Sequence, residues 1–159
     1  HASQQEIIKV AQICQVDAFA SQLPNRYQTL IGENACKISE GQKQKIALAR
    51  ALIKEPKILI LDEAMSSMDS ASEERIISQI KKITGIRTVI IVSHRLSTVM
   101  QADKVYFLHP PDRMITGNPQ ELLKNNKDFS NLFAAQTQDY PPDKANFRQE
   151  ETEVNKVMD

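Results

Sequence analysis

Four apolar residues followed by two carboxylates form the feature that most constrains the fold of this chain. Residues 58–61 read ILIL, and Asp62 and Glu63 follow them directly. An apolar run this short, bounded by polar residues, predicts a strand buried on both faces of a parallel sheet. Open α/β sheets bind their ligands beyond the carboxyl ends of such strands. We therefore expect the two carboxylates to lie at a ligand-binding edge.

The two carboxylates can divide the work of hydrolysing a nucleoside triphosphate. One of them can hold Mg²⁺ through its water molecules, and Asp62 is the candidate. The next can orient and deprotonate an attacking water, which is the role open to Glu63. A strand that ends in an acidic helix cap fits the same six residues, which alone leave both interpretations open.

Composition and charge exclude several classes of protein. The chain has 159 residues, the length of one domain, with 20 basic and 20 acidic residues and a formal net charge of zero. The absence of a basic excess argues against broad nucleic-acid binding. The apolar runs are too short to cross a bilayer, and no secretory signal is recognisable. Cys14 and Cys36 match no metal-ligand spacing, so we expect reduced thiols in a cytosolic setting.

A second feature predicts a helix that begins next to a phosphate. Ser39 and Gln42 have the spacing of a capping box, and Pro56 prevents the helix from continuing far beyond Ile53. A helix N-terminus offers free N–H groups and partial positive charge to an anion. Gly41 leaves the approach clear of a side chain. A capped helix without any ligand is the alternative, because capping boxes are common.

The remaining pattern predicts alternating helices and strands. Strand, helix and strand in the order of residues 58–92 imply a parallel crossover. The other predicted helices cover residues 3–19, with a capping box at Ser3 and Glu6, and run from Ser70 to near Gly85, from 118–121 onward and over 129–136. The predicted strands cover residues 89–92, 105–108 and 114–116.

Four motifs in this order resemble the second half of an ATP-binding cassette (ABC) nucleotide-binding domain. They are residues 38–42 for the LSGGQ signature, 58–63 for the Walker B strand with its catalytic glutamate, 66–69 for the D-loop and His94 for the switch histidine. The resemblance covers about residues 2–137. Glu40 departs from the signature, which has glycine at this position. The departure places a carboxylate near the expected γ-phosphate unless the Glu40 side chain turns to solvent.

The resemblance implies an α/β fold: part of a RecA-like P-loop NTPase parallel sheet with flanking helices, plus a small helical subdomain at the N-terminus. Residues 1–55 would be the helical signature subdomain and 56–137 the C-terminal half of the ATPase core. The apolar pattern fades from Gln138 onward, so residues 138–159 are predicted to be a flexible tail. No glycine of the chain is followed by lysine, so Walker A is missing, and the Q-loop is not identifiable. We therefore expect the C-terminal part of a longer cassette.

The resemblance also implies an ATPase that works as a head-to-tail dimer, with ATP and Mg²⁺ bound between two cassettes. Its partners would be a second nucleotide-binding domain and the transmembrane domain of a transporter, at the cytoplasmic face of a membrane, and not a nucleic acid. The implied roles are Glu63 as general base, His94 at the γ-phosphate, Asp62 on Mg²⁺, Ser39, Gly41 and Gln42 on the opposite γ-phosphate, and Asp69 as a link between the sites. Helix capping is the alternative for Asp69 and His94.

Two other functions remain open at this point. Residues 26–33 resemble the segment that touches the membrane domain in exporters, which favours an exporter over a soluble ABC ATPase of the DNA-repair or translation-factor kind. A non-catalytic regulatory module, in which the missing P-loop is real, is the other alternative. The presence of Asp62, Glu63 and His94 argues against it.

Overall fold

The computed structural model describes residues 2–32, 36–83, 85–86, 88–109 and 113–136. The chain divides into two compact units, His1–Ser93 and His94–Asp159. The predicted boundary lies between residues 55 and 56, so the two divisions differ. The assignment of residues 1–55 and 56–137 to functional parts of a cassette stays a prediction. The predicted tail over 138–159 lies outside the described residues. Among the described helices we find none with the length and hydropathy needed to cross a bilayer.

The first helix is shorter than predicted because a left-handed residue ends it. Helix α1 spans Gln4–Ile13 and begins with the predicted capping box, in which the Ser3 N–H donates to the Glu6 carboxylate at 2.7 Å. Gln15 has φ 56°, and the Val16 N–H donates to the Ala11 carbonyl at 2.7 Å. These contacts form a Schellman motif with glutamine where glycine is usual. The chain then forms the separate helix α2, Asp17–Ala20.

The turn between these two helices also places a cysteine in the core. Cys14 follows α1 directly and is 0% exposed. Burial raises the pKa of the Cys14 thiol to about 12. Both cysteines are free, as the sequence predicted.

A parallel strand pair forms the centre of the first unit. Strand β1, Ile58–Asp62, pairs in parallel with β2, Thr88–Val92, so that Asp62 lies opposite Val92. Helix α3, Glu40–Leu52, precedes β1, and helix α4, Ser70–Lys81, connects the two strands. The predicted strand–helix–strand unit is therefore confirmed as a parallel crossover.

The prediction that these strands are buried on both faces is wrong for this chain. Leu59 and Leu61 are 4% and 3% exposed and join the core with residues of α3 and α4. Ile58 and Ile60 on the opposite face are 60% and 65% exposed. An unbroken apolar run shows that both faces are apolar, but it cannot show which of them the chain itself covers.

Helix α4 begins at Ser70, as predicted, and ends earlier than predicted. Its N-cap is Asp69, whose carboxylate accepts the Ser72 N–H at 2.8 Å. The helix ends at Lys81, before the predicted stop near Gly85. The predicted apolar face is confirmed, and its buried residues are Ile76, Ile77 and Ile80.

The second unit packs short helices with an antiparallel strand pair. Strand β3, Val105–His109, pairs with β4, Arg113–Gly117, and this pair forms a sheet of its own among the described residues. The helices are α5, Leu96–Val99; α6, Pro119–Asn125; and α7, Lys127–Leu132. Asn118 and Pro119 start α6 as predicted. The predicted last helix over 129–136 is shifted, because Asn126 caps α7 by accepting the Phe129 N–H at 2.9 Å.

Candidate functional site

The predicted acidic pair lies at the carboxyl end of β1, where the backbone turns sharply. Asp62 is the last residue of the strand, and both carboxylate side chains are exposed. Glu63 has φ 43°, its N–H donates to the Val92 carbonyl at 3.1 Å, and its carbonyl accepts the Ser66 N–H at 3.1 Å. A left-handed conformation is costly for a glutamate, and such strained residues cluster at functional sites.

Asp62 suits a magnesium ion that is shared with a phosphate ligand. Mg²⁺ keeps several of its waters and usually takes one or two protein carboxylates together with substrate phosphates. Within the described ranges no group of three or more His, Cys, Asp or Glu residues could hold a metal ion by itself. One exposed carboxylate at a strand end therefore fits Mg²⁺ bound with a nucleotide, and not an all-protein metal cage.

The capping box predicted at the start of α3 is confirmed. The Ser39 hydroxyl accepts the Gln42 N–H at 3.2 Å, and the Gln42 carboxamide oxygen accepts the Ser39 N–H at 2.8 Å. Both side chains are thus fixed by the helix start. The first turn of this 13-residue helix presents the positive end of its dipole.

Gly41 is tightly packed, a reason for glycine that differs from the one the sequence suggested. A Cβ atom at this position would lie 2.7 Å from the backbone carbonyl oxygen of Ser67. Real Cβ atoms do not approach backbone oxygen that closely, so a larger residue would push the loop and the helix apart. The glycine is therefore needed for contact within the chain, independently of any ligand.

The Glu40 carboxylate lies on the solvent side of α3. Its oxygen is 3.0 Å from the Lys43 ammonium group, and the two side chains are 63% and 59% exposed. An exposed pair of this kind adds little stability. Its effect is to place a positive charge beside the carboxylate that departs from the signature.

Gln44 is a residue of this site that sequence reasoning missed. Its carboxamide nitrogen donates to the hydroxyls of Ser66 and Ser67 at 3.2 and 3.3 Å, and its oxygen accepts the Ser67 N–H at 3.0 Å. These bonds join α3 to the loop after Glu63. No local pattern predicts them, because the partners are 22 and 23 residues apart in sequence.

Asp69 has a structural role in the described chain. It caps α4, and the bonds from Ser72 lower the pKa of the Asp69 carboxyl. The capping alternative is therefore observed. A role for Asp69 in linking two nucleotide sites stays a prediction.

His94 is the first residue of the second unit, whereas Asp62 and Glu63 belong to the first. The Gln136 carboxamide nitrogen donates to the His94 carbonyl at 3.0 Å. The Gln136 carboxamide oxygen accepts the Leu96 N–H at 2.8 Å. Sequence reasoning missed these two hydrogen bonds of Gln136, because Gln136 and His94 are 42 residues apart. The alternative that His94 caps a helix is wrong, because α5 begins after Arg95.

Comparison with known proteins supports the resemblance to ABC nucleotide-binding domains. The family profile described as ABC transporter matches residues 2–66. ABC transporter B family member 13 of Arabidopsis thaliana is 40% identical over 136 residues, which are 86% of this chain and 11% of that protein. An ATP-dependent lipid A-core flippase of Legionella pneumophila is 42% identical over 135 residues, 85% of this chain and 23% of that protein. The chain belongs to the ABC transporter family.

A solved structure extends the likeness to the fold of exporter-type ABC nucleotide-binding domains. A bacterial Atm1-family ABC exporter with ATP bound matches with a TM-score of 0.77 and 34% identity, over 86% of this chain and 24% of that one. The α/β fold with its parallel strand pair is thus part of an exporter ATPase domain. The chain spans about a tenth to a quarter of the length of these ABC relatives.

Proposed function

We propose that the protein containing this chain hydrolyses ATP and uses the energy to move a substrate across a membrane. The observation that carries the proposal is the position of two adjacent exposed carboxylates, Asp62 and Glu63, at the carboxyl end of a parallel strand. A glutamate is held at φ 43° directly after β1, beside the exposed carboxylate of Asp62. Membership in the exporter-type ABC family supports the same activity.

The proposed chemistry assigns each residue of the site one task. Glu63 takes a proton from the water that attacks the γ-phosphate. Asp62 holds Mg²⁺ through its waters, and the bound ion supplies positive charge to the phosphate oxygens. His94 contacts the γ-phosphate and stabilises the negative charge of the transition state.

The start of α3 would serve a second ATP molecule held mainly by another cassette. Ser39, Gly41 and Gln42 present the helix N-terminus to that γ-phosphate, and Asp69 connects the two sites in a head-to-tail dimer. A transmembrane domain is the other partner, with the site at the cytoplasmic face of the membrane. The neutral net charge supports the expectation that nucleic acid is not a partner.

The test is the substitution Glu63→Gln in the full-length protein. Loss of a general base should lower the rate of phosphate release by about 10²- to 10⁴-fold. Binding of labelled ATP should remain, because the amide has the shape of the carboxylate. Glu74→Gln, at an exposed position of α4, is the matched control and should keep normal turnover. Normal turnover of Glu63→Gln would remove Glu63 from the role of base.

A non-catalytic regulatory module is the second candidate. It is favoured by one observation, that no glycine of this sequence is followed by lysine. A full-length protein that neither binds nor hydrolyses ATP would support this candidate. A soluble ABC ATPase would instead be indicated if the full-length gene encoded no membrane helices.

A further inference from the structure

One face of α3 is built to receive the loop that follows Glu63. Gly41 and Gln44 are three residues apart and so lie on the same side of the helix. Both contact Ser67: its carbonyl oxygen lies against Gly41, and its N–H and hydroxyl bond to the Gln44 carboxamide. Ser66 contributes a further hydroxyl contact to Gln44.

The orientation of the Gln44 carboxamide is set by its partners. The Ser67 N–H can only donate, so the atom facing it must be the carboxamide oxygen. The nitrogen then faces the two serine hydroxyls, which can accept its hydrogens. Gln44 uses donor and acceptor groups at once, whereas an apolar side chain of the same length would satisfy none of these partners.

The held loop leads directly back to the catalytic residue of the proposed function. The Ser66 N–H donates to the Glu63 carbonyl, which helps to maintain the strained turn at Glu63. Met65 and Met68, 3% and 5% exposed, anchor the loop in the core. Between these two anchors, the exposed serines of the loop bond to Gln44.

We propose that Gln44 is a positioning residue for ATP hydrolysis. It fixes the loop after Glu63 to α3, so that the base of one nucleotide site and the helix start that faces the other site move as one body. The inference rests on the proposed function, because it assigns Glu63 to one ATP and the start of α3 to a second. Gln44 itself touches no reacting atom.

The first test compares two substitutions at Gln44 in the full-length protein. Gln44→Met keeps the length of the side chain and loses every hydrogen bond, so kcat should fall by about 10- to 100-fold through misplacement of Glu63, with KM for ATP nearly unchanged. Gln44→Glu keeps the acceptor for the Ser67 N–H and can accept from both hydroxyls. It should restore kcat to within about threefold. Gln79→Met, at an exposed position of α4, is the matched control.

The second test is hydrogen exchange of the loop, measured by mass spectrometry on the same full-length variants. Gln44→Met should speed exchange in peptides that contain the Ser67 amide, and Gln44→Glu should not. If Gln44→Met failed to fold, the double substitution Ser66→Ala, Ser67→Ala would decide, since it removes the hydroxyl partners without altering α3. It should lower kcat by a smaller factor, about two- to fivefold.

The outcomes separate this inference from the proposed function. Unchanged kcat and unchanged exchange in Gln44→Met would overturn the inference, as would an equal loss in Gln44→Glu. Normal turnover of Glu63→Gln would overturn the assignment of the base, and with it the effect on kcat expected here. Exchange at Ser67 would still show whether Gln44 holds the loop.

Discussion

At the scale of single residues, several residues of the site have a structural role in addition to the role proposed for them in ATP hydrolysis. Gly41 makes room for the Ser67 carbonyl, Ser39 and Gln42 cap α3, and Asp69 caps α4. Substitution of these residues will therefore change stability as well as activity. Loss of activity alone is a poor guide to which of them contacts a nucleotide.

Asp69 offers a way to separate the two effects. Asp69→Ala should destabilise the protein by about 1 kcal/mol, because the Ser72 N–H loses its acceptor. Asp69→Asn should cost only a few tenths of that, because asparagine caps helices nearly as well. Chemical denaturation of both variants measures the difference. If Asp69→Asn lowers ATP turnover while stability is kept, the carboxylate has a role beyond the cap.

The same residue gives a dependence on pH with a definite sign. The folded-state pKa of Asp69 lies below its ordinary value of 3.8. The stabilisation by the charged cap is therefore complete above that ordinary value and is lost as the pH falls through the folded-state pKa. Asp69→Asn should lack this loss. An equal acid dependence in both proteins would contradict the assignment.

At the scale of helices and strands, local chemistry was readable from sequence and long-range contacts were not. The caps at Ser3, Ser39 and Asn118 were predicted, because a cap is formed within a few residues. The left-handed Gln15 was not, because glutamine carries no signal for that conformation. The bonds of Gln44 and Gln136 depend on tertiary contacts that no periodicity encodes.

The candidate site shows the same division. The motif order identified Asp62, Glu63 and the start of α3, and the structure confirms the strand end and the capped helix. Sequence reasoning could not decide whether Asp69 caps α4 or links two nucleotide sites, since aspartate is a good cap in any context. It also treated Gly41 as a matter of ligand access, because the nearby Ser67 carbonyl is distant in sequence.

The two faces of β1 provide a prediction at this scale. In the 159-residue chain, Leu61→Ala should cost about 2–5 kcal/mol, because it leaves a cavity in the core. Ile60→Ala should cost well under half as much, since Ile60 is 65% exposed. Urea unfolding of the two variants measures both costs. If the two substitutions cost the same free energy of unfolding in this chain, the conclusion that the Ile60 face is uncovered would be wrong. If the costs were equal only in the full-length protein, a further segment of that protein would cover this face.

At the scale of the whole molecule, the chain carries only some of the groups that nucleotide binding in the proposed function requires. The helix start of α3 and the carboxylates of Asp62 and Glu63 are present. A glycine-rich loop ending in lysine, whose N–H groups and ammonium cradle the phosphates, is absent from the sequence. The family to which the chain belongs binds ATP, but this chain alone lacks the groups that carry most of the phosphate contact.

The 159-residue chain alone is therefore expected to bind ATP weakly, with Kd of about 1 mM or higher. A titration with labelled ATP and Mg²⁺ measures it, and the full-length protein in the same buffer is the control. Micromolar binding by the chain alone would show that the phosphates are held by groups other than a P-loop.

The left-handed backbone at Glu63 also bears on which inactive versions of the protein would arise by chance. One nucleotide change in a glutamate codon can give glycine or aspartate, which tolerate this conformation, or valine, which does not. The first two would leave a folded domain without the base that we propose, and valine would disturb the fold as well. In the head-to-tail dimer that we propose, such a folded but inactive copy would pair with active copies and lower their activity in a cell that carries both versions.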